Sequence, residues 1–87
     1  MKAWKEDIVD RLAQEAAGCR IVSLRETANA MGINHISAGD CRDILAAAEK
    51  RLVGYRPVRM MNTPHDSLFC SLTFIEDDVT FDDGEVL

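Results

Sequence analysis

The sequence predicts an α+β domain with three helices, one short strand and a C-terminal β-hairpin. Its 87 residues suffice for a single domain with a small core. Three segments repeat apolar residues at helical spacing, which predicts amphipathic helices at 3–17, 23–31 and 37–52. Three other segments are rich in β-branched and aromatic residues, which favours strands at 19–22, 55–61 and 68–75.

The first helix is predicted from a stripe of apolar residues at a spacing of four and from a glycine that follows the stripe. Gly18 follows the stripe and is expected to end the helix. Acidic residues in its first turns suit the positive end of the helix dipole. The apolar residues of the stripe are four positions apart, at Trp4, Ile8, Leu12 and Ala16.

Residues 23–52 carry the signals of a helix pair joined by a tight corner. Ser23 with Glu26 forms an S-x-x-E capping box, and Ser37 with Asp40 repeats the start signal for the longer helix. Gly32 ends the first of the two helices, because glycine readily adopts the left-handed conformation of a C-cap. A steep pair around such a corner is a helix-turn-helix unit. The expected apolar face of the longer helix consists of Cys41, Ile44, Leu45, Ala48 and Leu52.

The last two predicted strands form a hairpin whose loop spans 62–67. Pro57 places the first strand at a sheet edge or makes this residue a strand start, because proline cannot donate a ladder hydrogen bond. The loop is dense in turn-forming residues. Alternation in the second strand is expected to place four residues on one face, namely Leu68, Cys70, Leu72 and Phe74.

Charge is distributed unevenly along the chain. Residues 1–61 contain ten Lys and Arg against eight Asp and Glu, a balance of +2. Residues 62–87 contain seven acidic and no basic residues, a balance of −7, which accounts for the net charge of −5. This asymmetry separates a weakly basic body from an acidic end. Overall acidity counts against nucleic-acid binding unless basic residues are concentrated locally.

The acidic segment 76–87 has three interpretations. It is a solubilising tail, an additional edge strand that uses its apolar residues, or a phosphate mimic that binds a basic surface. The spacing of its acidic residues does not match a calcium-binding loop. The candidate partner-binding residues are Asp77, Asp78, Phe81, Asp82 and Asp83.

Three widely spaced cysteines, Cys19, Cys41 and Cys70, lack the paired spacing of a zinc site. They are expected to act as small buried hydrophobic residues in a reducing, cytoplasmic compartment. No run of apolar residues approaches the length of a membrane span. No nucleophile elbow, phosphate-binding glycine loop or H-E-x-x-H motif is present. An enzyme is therefore not expected, and neither is a cofactor or a metal.

The order helix, strand, helix, turn, helix, strand, strand resembles the winged helix-turn-helix superfamily over residues 4–75. The stretch RIVSLRETANAMGI is similar to the segment by which these domains enter their second helix. The resemblance implies that the short strand pairs with the hairpin, that the third helix enters the DNA major groove, and that the hairpin loop is a wing touching phosphate or minor groove. The expected domain is 1–75, followed by a tail at 76–87.

Basic and polar residues of this region are the candidate DNA contacts. Arg42 lies early in the third helix, where an arginine could bind guanine with two hydrogen bonds. Arg25 is a phosphate candidate, and a basic cluster is expected where the third helix meets the wing. The complete set is Arg25, Asn34, His35, Arg42, Lys50, Arg51, Arg56 and Arg59. The alternative interpretation is an ordinary solvated helix face with ion pairs between neighbouring turns.

Two functions of different classes follow from these features. The first is a small DNA-binding transcriptional regulator, expected to be a homodimer because two-fold operators match two-fold proteins. The second is an acidic inhibitor or adaptor that binds a basic protein surface and keeps only the scaffold. In size and charge it resembles small phage and mobile-element proteins such as anti-CRISPR proteins and antitoxins. The helix pattern favours the first, and the acidity favours the second.

Overall fold

The computed structural model describes residues 3–60, 67–80 and 84–87. Within these ranges the chain forms four helices and four strands, so the α+β prediction is confirmed with one helix and one strand more than expected. In chain order the elements are α1 (Ala3–Ala16), β1 (Ile21–Ser23), α2 (Leu24–Ala30), α3 (Ala38–Arg51), β2 (Tyr55–Met60), α4 (Leu68–Ser71), β3 (Leu72–Glu76) and β4 (Gly84–Val86).

The four strands form one antiparallel sheet in the order β1-β3-β2-β4. The expected pairing of the short strand with the hairpin is present, with Val22 opposite Phe74. Strands β2 and β3 pair from Tyr55 opposite Glu76 to Arg59 opposite Leu72. The edge position predicted for the first hairpin strand is wrong over residues 58–60, because β4 pairs with β2 there.

Helix α4 replaces the first half of the strand predicted at 68–75. Ser67 caps this helix, since its Oγ accepts a hydrogen bond from the backbone nitrogen of Cys70 at 3.2 Å. The Ser71 hydroxyl donates to the Ser67 carbonyl oxygen at 2.9 Å. The predicted alternation therefore breaks, and Phe69 is buried instead of facing away from Leu72. A short apolar run cannot be assigned to helix or strand from its periodicity alone, and here the helical form is accompanied by the cap at Ser67.

The main core lies between the helices and one face of the sheet. It combines Ile8 and Leu12 of α1 with Leu24 of α2, Ile44 of α3 and Phe74 of β3, all with at most 1 % of their surface exposed. Leu45 packs against this core but is only half-buried. The predicted burial of the cysteines holds for Cys41, holds in part for Cys70, and is wrong for Cys19, which is exposed between α1 and β1.

Part of the other face of the sheet is also buried. Thr73 and Ile75 flank Phe74 in β3 and therefore point away from the main core, yet they are 5 % and 0 % exposed. Arg56 shares their face, being paired with Ile75. Its guanidinium donates to the carbonyl oxygens of Glu76 and Val79 at 2.8 and 2.5 Å. These bonds hold the segment after β3 against the sheet.

The acidic segment contributes to the fold. Glu76 is the last residue of β3, and β4 is the additional edge strand that the sequence offered as one interpretation. Gly84 permits this pairing, because a Cβ atom there would lie 2.3 Å from Val58 Cγ1 and 3.0 Å from the Arg59 carbonyl oxygen.

Arg20 adds ion pairs to Glu76 at 3.0 Å and to Asp78 at 3.1 Å. The segment 76–87 therefore has defined contacts with the body of the domain.

Candidate nucleic-acid interface

The corner between α2 and α3 is built by the signals seen in the sequence. Gly32 has a φ of +81°, in the left-handed region that favours glycine. The Ile33 amide donates to the Ala28 carbonyl oxygen at 2.9 Å, which turns the chain back on α2. Ile36 is then buried, whereas Asn34 and His35 remain exposed just before α3. Ser37 caps α3 by accepting a hydrogen bond from the Asp40 amide at 3.3 Å.

Lys5 of α1 holds both acidic residues in the first turns of α3. Its Nζ lies 2.7 Å from a carboxylate oxygen of Asp40 and 2.7 Å from one of Asp43. The Lys5 side chain is only 7 % exposed, whereas that of Asp43 is 60 % exposed. Hydrogen bonds to Asp40 and then Asp43 raise the pKa of Lys5, against a smaller opposing effect of burial. One buried positive charge thus offsets part of the negative charge of α3.

His35, Arg42 and Arg59 are brought together beside α4. The His35 ring makes an edge contact with Phe69, with centroids 5.7 Å apart and planes inclined by 68°. All three basic residues line one pocket of about 420 Å³. Apolar side chains of α3 and α4 form part of its wall, chiefly Leu45, Leu68 and Phe69. Among the described residues, no carboxylate forms an ion pair with Arg42.

Arg25 approaches the same short helix from α2. The Cys70 thiol of α4 has a lowered pKa, first because of a hydrogen bond with Ser67 and then because of Arg25, with burial opposing both. Arg25 itself is exposed. Four of the predicted DNA contacts therefore surround α4, and we call Arg25, His35, Arg42 and Arg59 the α4 basic group.

The other predicted basic residues lie away from α4. Arg51, at the end of α3, pairs with Asp10 of α1 at 2.6 Å. Lys50 lies beside the α1–α3 groove together with Glu6 and Asp10. Arg56 binds the two carbonyl oxygens described above. The cluster expected where the third helix meets the wing is therefore divided, and of its members Arg59 alone lines the pocket beside α4.

Of the predicted acidic partner-binding residues, the structure describes two. Asp78 pairs with Arg20, and Asp77 is exposed, with its amide donating to the Gly54 carbonyl oxygen at 2.8 Å. Phe81, Asp82 and Asp83 lie outside the described residues. The loop at 62–67, which the sequence predicts to be a wing, is likewise outside them, apart from Ser67.

Three residues that the sequence did not single out connect parts of the fold that are distant in the chain. Lys5 and Arg20 join segments distant in the chain, so that no local spacing reveals their ion pairs. The Tyr55 hydroxyl lies 2.5 Å from the Ala16 carbonyl oxygen and also contacts that of Cys19, which ties β2 to the end of α1. Burial is the first cause of the raised pKa of Tyr55. For helix α4, by contrast, the sequence did contain a signal, because Ser67 precedes an apolar run and serine is a preferred N-cap residue.

No protein-family model, characterised protein or solved structure matches this chain. Among the described residues, no cluster of three or more His, Cys, Asp or Glu side chains is arranged to hold a metal ion. No helix in the described ranges has both the length and the apolar character needed to cross a membrane. The geometry around α4 is therefore the main basis for a functional proposal.

Proposed function

We propose that the protein is a winged helix-turn-helix DNA-binding regulator that contacts duplex DNA through the α4 basic group. The observation that carries the proposal is the convergence of His35, Arg42 and Arg59 on one pocket beside α4, with Arg25 close to the same helix. These residues come from four separate elements or loops. The fold thus concentrates positive charge in a chain whose net charge is negative.

The arrangement of elements supports the same proposal. Helices α2 and α3 meet at the Gly32 corner, and β1 pairs with the second strand of the hairpin. An α-helix fits the DNA major groove, and residues near the start of a recognition helix contact base edges. Arg42 is exposed in the second turn of α3. Lys5 supports this role by offsetting the charge of Asp40 and Asp43 on either side of Arg42.

In this mechanism Arg42 reads bases, whereas Arg25 and Arg59 neutralise phosphates. A guanidinium can donate two hydrogen bonds to the O6 and N7 atoms of guanine. Phosphate contacts fix the position of a protein on DNA without reading its sequence. Arg59 lies at the end of β2 that leads towards the hairpin loop, and in this proposal it contacts the DNA backbone beside α3.

The protein-binding alternative depends on the acidic segment, and the structure gives it less support. Arg20 engages Glu76 and Asp78 within the chain, and β4 is part of the sheet. These contacts give the segment a structural role that needs no partner. We therefore prefer the DNA-binding proposal. If the protein does not bind DNA, the protein-binding function becomes the preferred interpretation.

The test is fluorescence anisotropy with a labelled mixed-sequence duplex at low salt. We expect a Kd of about 1–100 µM, which is the range of non-specific binders. The logarithm of the affinity should fall linearly with the logarithm of the salt concentration. Arg42→Ala should weaken binding about three- to ten-fold. Arg11→Ala is the matched control, because it removes the same charge from the exposed face of α1. Its Kd should stay within about two-fold of wild type.

Selection from a random duplex library then tests the role of Arg42. Arg42→Ala should flatten the base preference at one position, whereas Arg25→Ala should weaken binding to all sequences alike. The absence of binding at about 100 µM protein would reject the proposal. Equal losses in Arg11→Ala and Arg42→Ala would also reject it, because the effect would then reflect net charge and not a defined surface.

A further inference from the structure

The pocket beside α4 has the composition of a small-molecule site. Its volume of about 420 Å³ lies within the range of about 300–1,000 Å³ found for ligand pockets. Such pockets combine an apolar wall with a few convergent polar groups. Here Leu45, Leu68 and Phe69 provide apolar surface, and Arg42 and His35 provide polar groups at the same cavity.

The distribution of charge in the pocket indicates the chemistry of a ligand. Arg42 forms no ion pair with a carboxylate of the described chain, so its guanidinium is available to an added anion. A guanidinium matches a carboxylate with two parallel hydrogen bonds. Phe69 is 3 % exposed and packs against His35 and the core, so this part of the apolar wall is fixed by packing.

We propose that this pocket binds a small organic acid with an apolar body, its carboxylate on Arg42 and its hydrocarbon part against Leu45, Leu68 and Phe69. A simple inorganic anion would leave the apolar wall without a contact. A neutral apolar molecule would leave the guanidinium without an anionic partner. The proposal concerns ligand binding by the free protein and does not depend on DNA binding, although both would use Arg42.

The experiment is a two-dimensional NMR titration of the full chain without DNA, with 4-phenylbutyrate as the probe. We expect saturable shifts with a Kd of about 0.1–10 mM, confined to the amides around Ser37, Arg42 and Phe69. The neutral 4-phenylbutyramide tests the carboxylate, and it should bind at least about five-fold more weakly. Acetate tests the apolar body and should bind at least about ten-fold more weakly than the probe.

Two variants assign the binding to the pocket. Arg42→Gln keeps a polar side chain of similar length, removes the charge at an exposed position, and should weaken 4-phenylbutyrate at least about five-fold. Arg11→Gln, on α1, should leave the titration unchanged. Several results would overturn the proposal: no shifts at about 10 mM probe, equal binding of the amide or acetate, shifts centred elsewhere, or an unchanged titration in Arg42→Gln. A failure of DNA binding would leave all of these measurements interpretable.

Discussion

Lys5 of α1 and Asp43 of α3 lie 38 residues apart in sequence, and their Nζ and Oδ2 atoms are 2.7 Å apart in the fold. The same ammonium is 2.7 Å from Asp40. This contact joins the first helix to the start of the proposed DNA-reading helix. It also controls how much negative charge α3 presents beside Arg42.

Replacing Lys5 with methionine should destabilise the protein and weaken DNA binding together. Asp40 and Asp43, whose side chains are 36 % and 60 % exposed, would lose their shared partner and repel each other across one helical turn. Lys50→Met is the control, because Lys50 is exposed at the other end of α3. Thermal unfolding should show a lower Tm for Lys5→Met than for Lys50→Met. Equal Tm values for the two variants would show that the pairing does not hold α1 against α3.

Gly84→Ala should detach or distort β4. The added Cβ would lie 2.3 Å from Val58 Cγ1, well inside van der Waals contact. We expect a loss of about 1–3 kcal/mol in the free energy of unfolding, as for other overpacked sites. The Leu87 amide, which donates to the Pro57 carbonyl oxygen at 3.1 Å, should exchange hydrogen faster.

Gly18→Ala is the matched control for this change. A Cβ at Gly18 would have no neighbour within 4 Å, so its effect on stability should be within about 0.5 kcal/mol. Unchanged stability and unchanged exchange at Leu87 in Gly84→Ala would contradict the pairing of β4 with β2.

Stability should decrease as the pH rises from 9 to 11, because of Cys41. Burial raises the pKa of this thiol from 9.0 to about 11. Below pH 9 the Cys41 thiol is protonated in both the folded and the unfolded protein. Above pH 9 the thiol of the unfolded chain ionises before that of the folded protein, and this ionisation favours unfolding. The expected loss is about 2 kcal/mol by pH 11, because half of the folded thiol is itself ionised at that pH. Lys5 and Tyr55 also have raised pKa values and act in the same direction.

Urea unfolding at several pH values measures this effect. Cys41→Ala lacks the thiol, so the pH dependence of its unfolding free energy between pH 9 and 11 should be shallower than that of wild type. Parallel curves for the two proteins would exclude Cys41 as the source.

Arg56→Ala should affect stability more than DNA binding. The guanidinium donates to the Glu76 and Val79 carbonyl oxygens, and hydrogen bonds from charged groups contribute about 1.5–3 kcal/mol each. Anisotropy should give a Kd within about two-fold of wild type under conditions where the variant is folded. If the Arg56→Ala protein is stable but has lost its DNA affinity, Arg56 is a DNA contact and this prediction is wrong.

Much of the helical architecture could be predicted because its signals are local. Ser23, Gly32 and Ser37 act within one turn of their own position, so the boundaries of α2 and α3 follow from sequence. Local signals did not exclude the strand that was predicted over residues 68–71, where the structure has helix α4. An apolar run suits either a strand or a buried helix, and the packing of Phe69 against the core accompanies the helical form.

The candidate site depended still more on tertiary structure. The sequence identified Arg25, His35, Arg42 and Arg59 as basic or polar residues, but it did not separate them from Lys50, Arg51 and Arg56. Their grouping depends on α4, which packs against α2 and α3, and on the carboxylates and carbonyl groups that engage Arg51 and Arg56. These partners are distant in sequence.

The sequence by itself determined the α+β class, the helix caps, the Gly32 corner and the uneven charge, because each depends on neighbouring residues or on composition. Only the tertiary structure decided that Lys5 engages the acidic residues of α3, that the acidic segment supplies β4, and that three basic residues share a pocket. Long-range ion pairs and strand pairing join residues whose separation along the chain is not encoded in any local pattern. They form where the folded backbone brings complementary groups within contact distance.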